Sequence, residues 1–396
     1  MIEVIIFILI GILLGTISGL TPGVHINLLS ALILTIYSKL TNIDPIIAIT
    51  TIVSMAITHT FLDFIPSTYL GAPSENTILN ILPSHKYLLQ GKAYEAIKLS
   101  IIGSYFGLIL IIIATPLLLI VTKKSYEIIE ILIPYVLITT SIVLIFKDKQ
   151  PLNSLIIFTI SGLLGYIVLN LKNINEPLFP LFSGLFGTSS LILSIKEKIK
   201  IPNQILTSPK IKIKNLIKNL NLGLFSSILV GFLPGMGSAQ AAIISSSINK
   251  KQTNEDYIIL TSSINSIVLI ISLIAMYTIN KARSGIIVAI EKITPEMTLN
   301  NLFLLIIIIL ITASLTIPYS LFLAKKFSKY ITKINYQYLC TFIIIFIVIL
   351  TILISKPLGL LILITSTFLG FLPQLLNIPR NQLMGSLLIP VILYYF

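Results

Sequence analysis

Two ionisable side chains stand four positions apart in a stretch that is otherwise apolar. They are His59 and Asp63, in the segment SMAITHTFLDFIPSTY at 54–69. Residues four apart lie on the same face of a helix. Ionisable groups within membrane-crossing segments are costly and mark ion or substrate pathways. The pair therefore predicts a site for a coupling ion, Na⁺ or H⁺, with Asn265 as a polar counterpart later in the chain; a His–Asp pair near water at a helix end is the open alternative.

Two Pro-Gly segments could bind an anion without any buried lysine. They are TPGVHIN at 21–27 and LPGMGSAQ at 233–240. Proline removes a backbone donor and glycine permits an open turn, so each segment is predicted to break a helix. The half-helix that follows each break would turn free N–H groups and a positive dipole end toward the molecular centre. A simple kink or a tight interhelical turn is the competing interpretation.

The residues of these segments form the predicted substrate site. Arg283 joins them because its planar guanidinium pairs with carboxylates, although it could instead anchor a helix at the membrane interface. The predicted binding residues are Thr21, Pro22, Gly23, His25, Asn27, Pro234, Gly235, Gly237, Ser238 and Arg283, with Gln240 as a further polar contact.

The elements that must position these residues are membrane-spanning helices. The chain of 396 residues is 56% hydrophobic and only 10% charged, whereas a soluble domain carries about 25% charged residues. Ten apolar runs are long enough to cross a bilayer core of about 30 Å. The sequence predicts an all-α polytopic membrane protein with about 10–12 transmembrane helices. The net charge of +13 comes from lysines between apolar runs, a pattern of membrane topology and not of nucleic-acid binding.

The two halves of the chain resemble each other. Four landmarks recur 212 positions later: Gly11, Gly19, Pro22 and Gly23 correspond to Gly223, Gly231, Pro234 and Gly235. We therefore predict a first repeat over 1–195, a basic cytoplasmic connector over 196–219 and a second repeat over 220–396. Lysine-rich loops all fall on the cytoplasmic side only if the second repeat is inverted. Inverted repeats with broken helices or re-entrant hairpins at matching positions are typical of secondary transporters.

Enzymatic and metal chemistry find little support in the sequence. Cys340 is the single cysteine, and no Walker A, GxSxG or GxGxxG motif occurs. An intramembrane enzyme would have to use His59, Asp63, Glu75 and His85, which supply neither a recognisable nucleophile nor a metal set. We therefore expect no catalytic residues, no metal and no bound cofactor.

The paired Pro-Gly segments, GAPSENTILNILPSHKYLLQGKAYEAIKLSIIGSYFG at 71–107 and IPRNQLMGSLLIP at 378–390 together resemble a known family. They are similar to the large membrane subunit of tripartite tricarboxylate transporters, in its archaeal branch. The resemblance covers almost the whole chain and is most specific around Pro73 and Glu75, which it adds to the substrate site. A Gly-rich stretch expected before the first-half loop is replaced here by FIPSTYLGAP at 64–73.

The resemblance implies a multi-pass permease of the cell membrane for a di- or tricarboxylate such as citrate. It would be driven by Na⁺ or H⁺ and would work by alternating access around two facing broken helices. The alternative is a translocator of a polyprenyl phosphate or other lipid-linked phosphate. Expected partners are the lipid bilayer, the organic anion, a small membrane subunit and an extracellular binding protein, but no nucleic acid. A homodimer stays open.

Overall fold

The computed structural model describes most of the chain, and the described part is helical. It covers residues 2–21, 26–39, 44–71, 81–146, 148–172, 174–196, 201–231, 238–248, 252–282, 284–331, 333 and 336–396. Lipid offers no hydrogen-bond partner to a peptide group, so a membrane chain must satisfy its backbone within its own helices. The α-helices are α1 Ile2–Leu20, α2 Ile26–Lys39, α3 Pro45–Leu62, α4 Phe64–Tyr69, α5 Ile81–Leu89, α6 Ala93–Phe146, α7 Pro151–Leu169, α8 Leu178–Phe182, α9 Ser189–Lys196, α10 Ile213–Gly231, α11 Ser238–Ile248, α12 Asn254–Ile279, α13 Gly285–Ile293, α14 Leu299–Ile331, α15 Tyr336–Leu375 and α16 Gly385–Tyr395.

Seven of these helical stretches among the described residues are long and apolar enough to cross a membrane. This confirms an all-α polytopic membrane protein. The sequence predicted 10–12 crossings, more than these seven stretches, partly because α6 and α15 each combine more than one of the apolar runs in the sequence. At 1.5 Å per residue, α6 would be about 80 Å long and α15 about 60 Å, each too long for one crossing. Within α15 the backbone kinks at Lys356, with φ 60°, directly before Pro357.

Two helices form the centre of the molecule. The span Pro45–Tyr69, made of α3 and α4, is 83% buried, and α12 is 94% buried, whereas the other spans are 28–44% buried. Both central helices carry many hydroxyl groups, which bond back to the carbonyl four residues earlier, as Thr50 does to Ile46 and Thr261 to Tyr257. Such polar helices are kept away from lipid by the helices that surround them.

Glycines allow matching helices to approach the two central helices. A Cβ on Gly11 of α1 would lie 2.6 Å from Ser54 of α3, and one on Gly223 of α10 would lie 2.7 Å from Ser263 of α12. Farther along, Gly19 meets Leu62 and Gly231 meets Ile271 in the same way. The residues that these glycines contact are 209 positions apart in both cases: Ser54 and Ser263, and Leu62 and Ile271. This constant offset agrees with the predicted correspondence of the halves.

The two halves also exchange helices. Gly103 and Gly107 of α6 pack on α12 in the second half. In return, α14 packs on α3 in the first half, where Thr312 donates a hydrogen bond to Ser54 at 3.1 Å and Thr316 bonds Thr58 at 3.2 Å. Each central helix is therefore covered by one helix from its own half and one from the other. The inverted orientation of the two halves stays a prediction.

A second exchange occurs at the periphery. Gly165 of α7 packs against the backbone of Ser386 in α16, and Gly370 of α15 packs against the backbone of Leu185. Leu185 lies in the π-helical segment Ser183–Thr188 between α8 and α9. Gly184 in that segment meets Ser366, and Gly385 meets Ser161. These contacts agree with the predicted correspondence of Gly165 to Gly370 and of Gly184 to Gly385.

The connector is shorter than predicted. Helix α9 ends at Lys196 and α10 already begins at Ile213, so the last part of the predicted connector 196–219 is the first turns of a helix. The extended stretch 201–212 is held against the turn before α6. Gln204 accepts a hydrogen bond from the Ala93 amide at 3.0 Å and donates one to the Leu88 carbonyl at 3.0 Å, while the Ile205 amide donates to the Gly91 carbonyl at 2.7 Å.

Each Pro-Gly segment stands between a long helix and a short one. Helices α1 and α10 have 19 residues each, whereas α2 has 14 and α11 has 11. At 1.5 Å per residue the short helices extend only about 21 Å and about 17 Å, less than a bilayer core of about 30 Å. These lengths favour a half-span or a hairpin over a second complete crossing.

We expect Gly165→Leu to destabilise the protein, because a Cβ there would lie 1.9 Å from the carbonyl oxygen of Ser386. Overpacking of this kind costs about 1–3 kcal/mol and more when backbone must move. The apparent Tm of the purified chain, measured by fluorescence-detected size exclusion after heating, should fall by several degrees. Tyr166→Leu on the exposed face of the same helix is the matched control; equal behaviour of the two variants would contradict the packing described.

Candidate functional site

A buried cluster of polar side chains joins α1 to the end of α3. The Nδ1 atom of His59 lies 3.0 Å from Oγ of Ser18, and its Nε2 atom lies 3.9 Å from Oδ2 of Asp63. The first distance is a hydrogen bond, whereas the second is too long for one. The predicted pairing of His59 and Asp63 on one helix face is confirmed, and Ser18 is an additional member that the sequence did not single out.

Asp63 sits where the central span is interrupted. It ends α3 and precedes α4, and its own amide donates to the His59 carbonyl at 2.9 Å. Pro66 three residues later has no N–H for the carbonyl of Leu62, so a regular helix cannot continue through this point. The interruption fixes the Asp63 carboxyl group inside the protein, where the residue is only 2% exposed.

The Asp63 carboxyl group has no side-chain hydrogen-bond partner among the described residues. Both of its oxygens are buried, and neither accepts a bond from another side chain. A buried carboxylate with few hydrogen bonds costs several kcal/mol, so such a group takes up a proton or pairs with a cation, as it would with the His59 ring 3.9 Å away when that ring is protonated. The position of Asp63 is therefore suited to bind a coupling ion that enters the protein interior.

The cluster lies directly beside the entrance to the first Pro-Gly segment. Gly19 packs on the backbone of His59 and on Leu62, and a Cβ at this position would lie 2.9 Å from Leu62. Two residues later the Thr21 amide makes a last helical hydrogen bond to the Ile17 carbonyl at 3.1 Å. The chain then enters residues 22–25, so the predicted site residues Pro22, Gly23 and His25 lie outside the described residues.

On the far side of that segment, Asn27 contacts the second half of the protein. Its amide group lies against Gly285, where a Cβ would come within 2.7 Å of Cγ. Gly285 is the first residue of α13, and Ser284 caps this helix by accepting from the Ile287 amide. The predicted site residue Asn27 thus contacts Gly285, two positions after Arg283 in the sequence. Arg283 itself lies outside the described residues.

In the second half, the described site residues are buried on α11 and α12. Ser238 and Gln240 at the start of α11 are 5% and 3% exposed. Pro234, Gly235 and Gly237 lie outside the described residues, as do Pro73 and Glu75 from the loop before α5. The structure therefore places Thr21 just after Gly19, which packs on His59, and places Asn27 against Gly285 on the far side of the same Pro-Gly segment.

Asn265 is a buried polar residue of α12, and by the glycine contacts it lies about one helical turn from the position that corresponds to His59; its role in ion coupling stays a prediction. The glycine contacts that equate Ser54 with Ser263 equate His59 with Val268 and Asn265 with Ala56. The ionisable cluster therefore exists in one half only. Asn265 nevertheless keeps both amide atoms buried without a described hydrogen-bond partner, which leaves it able to contact an ion or a substrate.

These features define a class of protein. Apolar helices long enough to cross a membrane surround two polar central helices, an orphan carboxyl group lies inside, and within the described residues no group of three His, Cys, Asp or Glu side chains could hold a metal ion. This is the architecture of a multi-pass membrane transporter.

The chain belongs to the tripartite tricarboxylate transporter TctA family, whose model matches residues 5–385. Membership makes it a component of a transporter in the cell membrane and not an enzyme. The chain is also 33% identical to a protein of Methanocaldococcus jannaschii described as uncharacterized, over 99% of this chain and 98% of that protein. No solved structure matches.

We expect Gly285→Val to lower transport by roughly tenfold or more, since displacing a positioning group by about 1 Å can have that effect. The new side chain would occupy space within 2.9 Å of the Asn27 amide and push it away. The measurement is uptake by proteoliposomes that contain equal amounts of folded protein. Val288→Ala on the exposed side of α13 is the control; wild-type uptake by Gly285→Val would remove Asn27 from the site.

Proposed function

We propose that this protein is an ion-coupled permease for a small di- or tricarboxylate such as citrate. The observation that carries the proposal is the buried Asp63 carboxyl group beside His59, at the end of α1 that leads into a Pro-Gly segment. A coupling ion and an anionic substrate would then bind on neighbouring parts of one structural unit. Family membership favours a carboxylate over the lipid-linked phosphate as substrate.

Substrate binding would use the short helices that follow the two Pro-Gly segments. Helix α2 begins at Ile26 and α11 at Ser238, and the first turn of a helix offers N–H groups and a positive dipole end to an anion. Asn27 and Ser238 lie in these first turns and would add side-chain contacts. Arg283, Pro73 and Glu75 remain proposed members of the site.

Coupling would use the charge balance at Asp63. When neither a proton nor Na⁺ is bound to the Asp63 carboxylate, its buried negative charge would lie near the path of a negatively charged substrate, which is unfavourable. A proton or Na⁺ at Asp63 removes that charge, so ion and substrate binding would favour each other. Ser18 would hold His59 in position through its hydrogen bond at 3.0 Å.

Alternating access would depend on the exchanged helices. Each central helix is covered partly by the other half: α6 packs on α12, and α14 packs on α3. A rearrangement of one half would therefore move a covering helix of the other half with it. We further propose that a small membrane subunit and an extracellular binding protein deliver the substrate, as the name of the family indicates.

The direct test is uptake of labelled citrate and succinate into proteoliposomes under separate Na⁺ and H⁺ gradients. Accumulation that depends on one gradient would establish the substrate and name the ion. Absence of uptake in the presence of both gradients and both candidate partner proteins would contradict the proposal.

We expect Asp63→Asn to abolish gradient-driven accumulation while the protein folds normally, because the amide is of similar size and cannot bind a proton or Na⁺ as a carboxylate does. Counterflow of citrate at equal concentrations, which needs no gradient, should persist. The apparent Tm should stay close to that of the wild type. Glu296→Gln, which changes an exposed carboxylate, is the matched control. Accumulation by Asp63→Asn at the wild-type level would exclude Asp63 as the coupling site.

We expect Gly23→Ala together with Gly235→Ala to abolish carboxylate uptake, since both proposed half-helices would lose the open turn before them. The control is Leu163→Ala on the exposed side of α7, which lies in no Pro-Gly segment. Intact uptake by the double variant would refute the assignment of the substrate site to these segments.

A further inference from the structure

A cavity with a basic lining lies beside Arg380. Its volume is about 290 Å³, close to the lower end of the roughly 300–1,000 Å³ that small-molecule sites occupy. It lies between the end of α5, the start of α12 and the 3₁₀ turn Arg380–Met384 that precedes α16. The polar residues that line it are Lys86, Gln252, Thr253, Asn254, Arg380 and Asn381.

Arg380 is the unusual member of this lining. Only 6% of it is exposed, and its guanidinium group donates a hydrogen bond to Oγ of Ser190. This partner is neutral, and among the described residues no carboxylate pairs with Arg380. Burial lowers the pKa of Arg380 to about 10, so the group is charged at neutral pH. A buried charge of this kind is costly until an anion binds it.

Lys86 and Gln252 have the same sign preference, whereas the buried side-chain oxygen of Asn381 in the same lining is an acceptor. Lys86 is exposed at the rim, and the amide nitrogen of Gln252 is a buried donor without a described partner. The first turn of α12 also borders the cavity, and its N-terminus is already capped by Thr253 and Asp256. No Asp or Glu is among the described residues that line the cavity. The nearby acids are engaged: Glu255 accepts from Tyr87, and Asp256 accepts from Asn219 and Thr253.

The other half of the protein does not repeat this arrangement. The contacts that equate Gly184 with Gly385 place Phe179 at the position of Arg380, and those that equate Ser54 with Ser263 place Asp44 at the position of Thr253. The corresponding region of the first half thus has an aromatic ring and an acid where the cavity has a guanidinium group and a hydroxyl group. An anion would be favoured on one side of the protein only.

We propose that the Arg380 cavity is a second anion-binding site, on the predicted cytoplasmic side, for a small anion with two or three carboxylate groups. The guanidinium fork of Arg380 pairs with one carboxylate, as planar Arg–carboxylate pairs do, and Lys86 at the rim attracts another. That this anion is the transported substrate on its way into the cell rests on the proposed function. The anion site itself does not.

The test is isothermal titration of the purified full-length chain with citrate, and separately with inorganic phosphate, at low ionic strength. We expect Arg380→Gln, which can still hydrogen-bond to Ser190, to weaken binding at least tenfold. Lys86→Gln should weaken it several-fold. Lys325→Gln changes another exposed lysine on the predicted cytoplasmic side, outside this cavity, and should leave the affinity unchanged.

The two anions and one further variant separate the possible results. Preference for citrate identifies a carboxylate site, whereas equal or better binding of phosphate would overturn the proposed ligand class. Gly23→Ala with Gly235→Ala should retain the Arg380-dependent binding while it loses uptake, so the cavity and the proposed transport function can fail separately. Wild-type affinity in folded Arg380→Gln, or no citrate binding by the wild type, would overturn the proposal. If Arg380→Gln does not fold, Lys86→Glu decides, and unchanged affinity there would overturn it too.

Discussion

The structure depends on keeping two hydroxyl-rich helices out of lipid. Helices α3 and α12 carry serines and threonines throughout, and in α3 also His59 next to Asp63. The solution is close contact through small residues: Gly11 and Gly223 let α1 and α10 lie directly on the central helices. Van der Waals contact and hydroxyl hydrogen bonds hold these interfaces, because lipid provides no hydrophobic force between helices. The candidate site can contain an orphan carboxyl group only because this packing surrounds it.

The sequence predicted the membrane class and the main spans because a run of apolar residues has few alternatives in a bilayer. It also predicted which glycines correspond, since close backbone contact leaves a recognisable pattern. The exchange of α6 and α14 between the halves could not be predicted, because hydropathy shows which residues avoid water but not which helix covers which. The start of α10 at Ile213 was missed because its first turns carry lysines, which a charge-based boundary assigns to the connector.

At the site, the His59–Asp63 spacing was readable from helix periodicity. Ser18 was not, because a serine within a Gly-rich helix face has the composition of any close interface, and only the structure shows its hydrogen bond to His59. In the sequence, Arg380 is distinguished only by its place in the family-like segment 378–390. The structure shows that Arg380 and Lys86 line one cavity, and that no Asp or Glu is among the described residues of its lining. The first half has no equivalent, so the two similar halves carry different charges: a carboxyl group in one and a guanidinium group in the other.

The exchange of covering helices has a consequence for biosynthesis. Helix α3 enters the bilayer early, but α14, whose Thr312 and Thr316 bond Ser54 and Thr58, is translated some 250 residues later. Until then a polar face of α3 must be covered by something else, such as a chaperone, the insertion machinery or a temporary helix neighbour. The protein therefore cannot mature one repeat after the other, and a gene divided at the connector would encode two pieces that each need the other in order to bury their own centre.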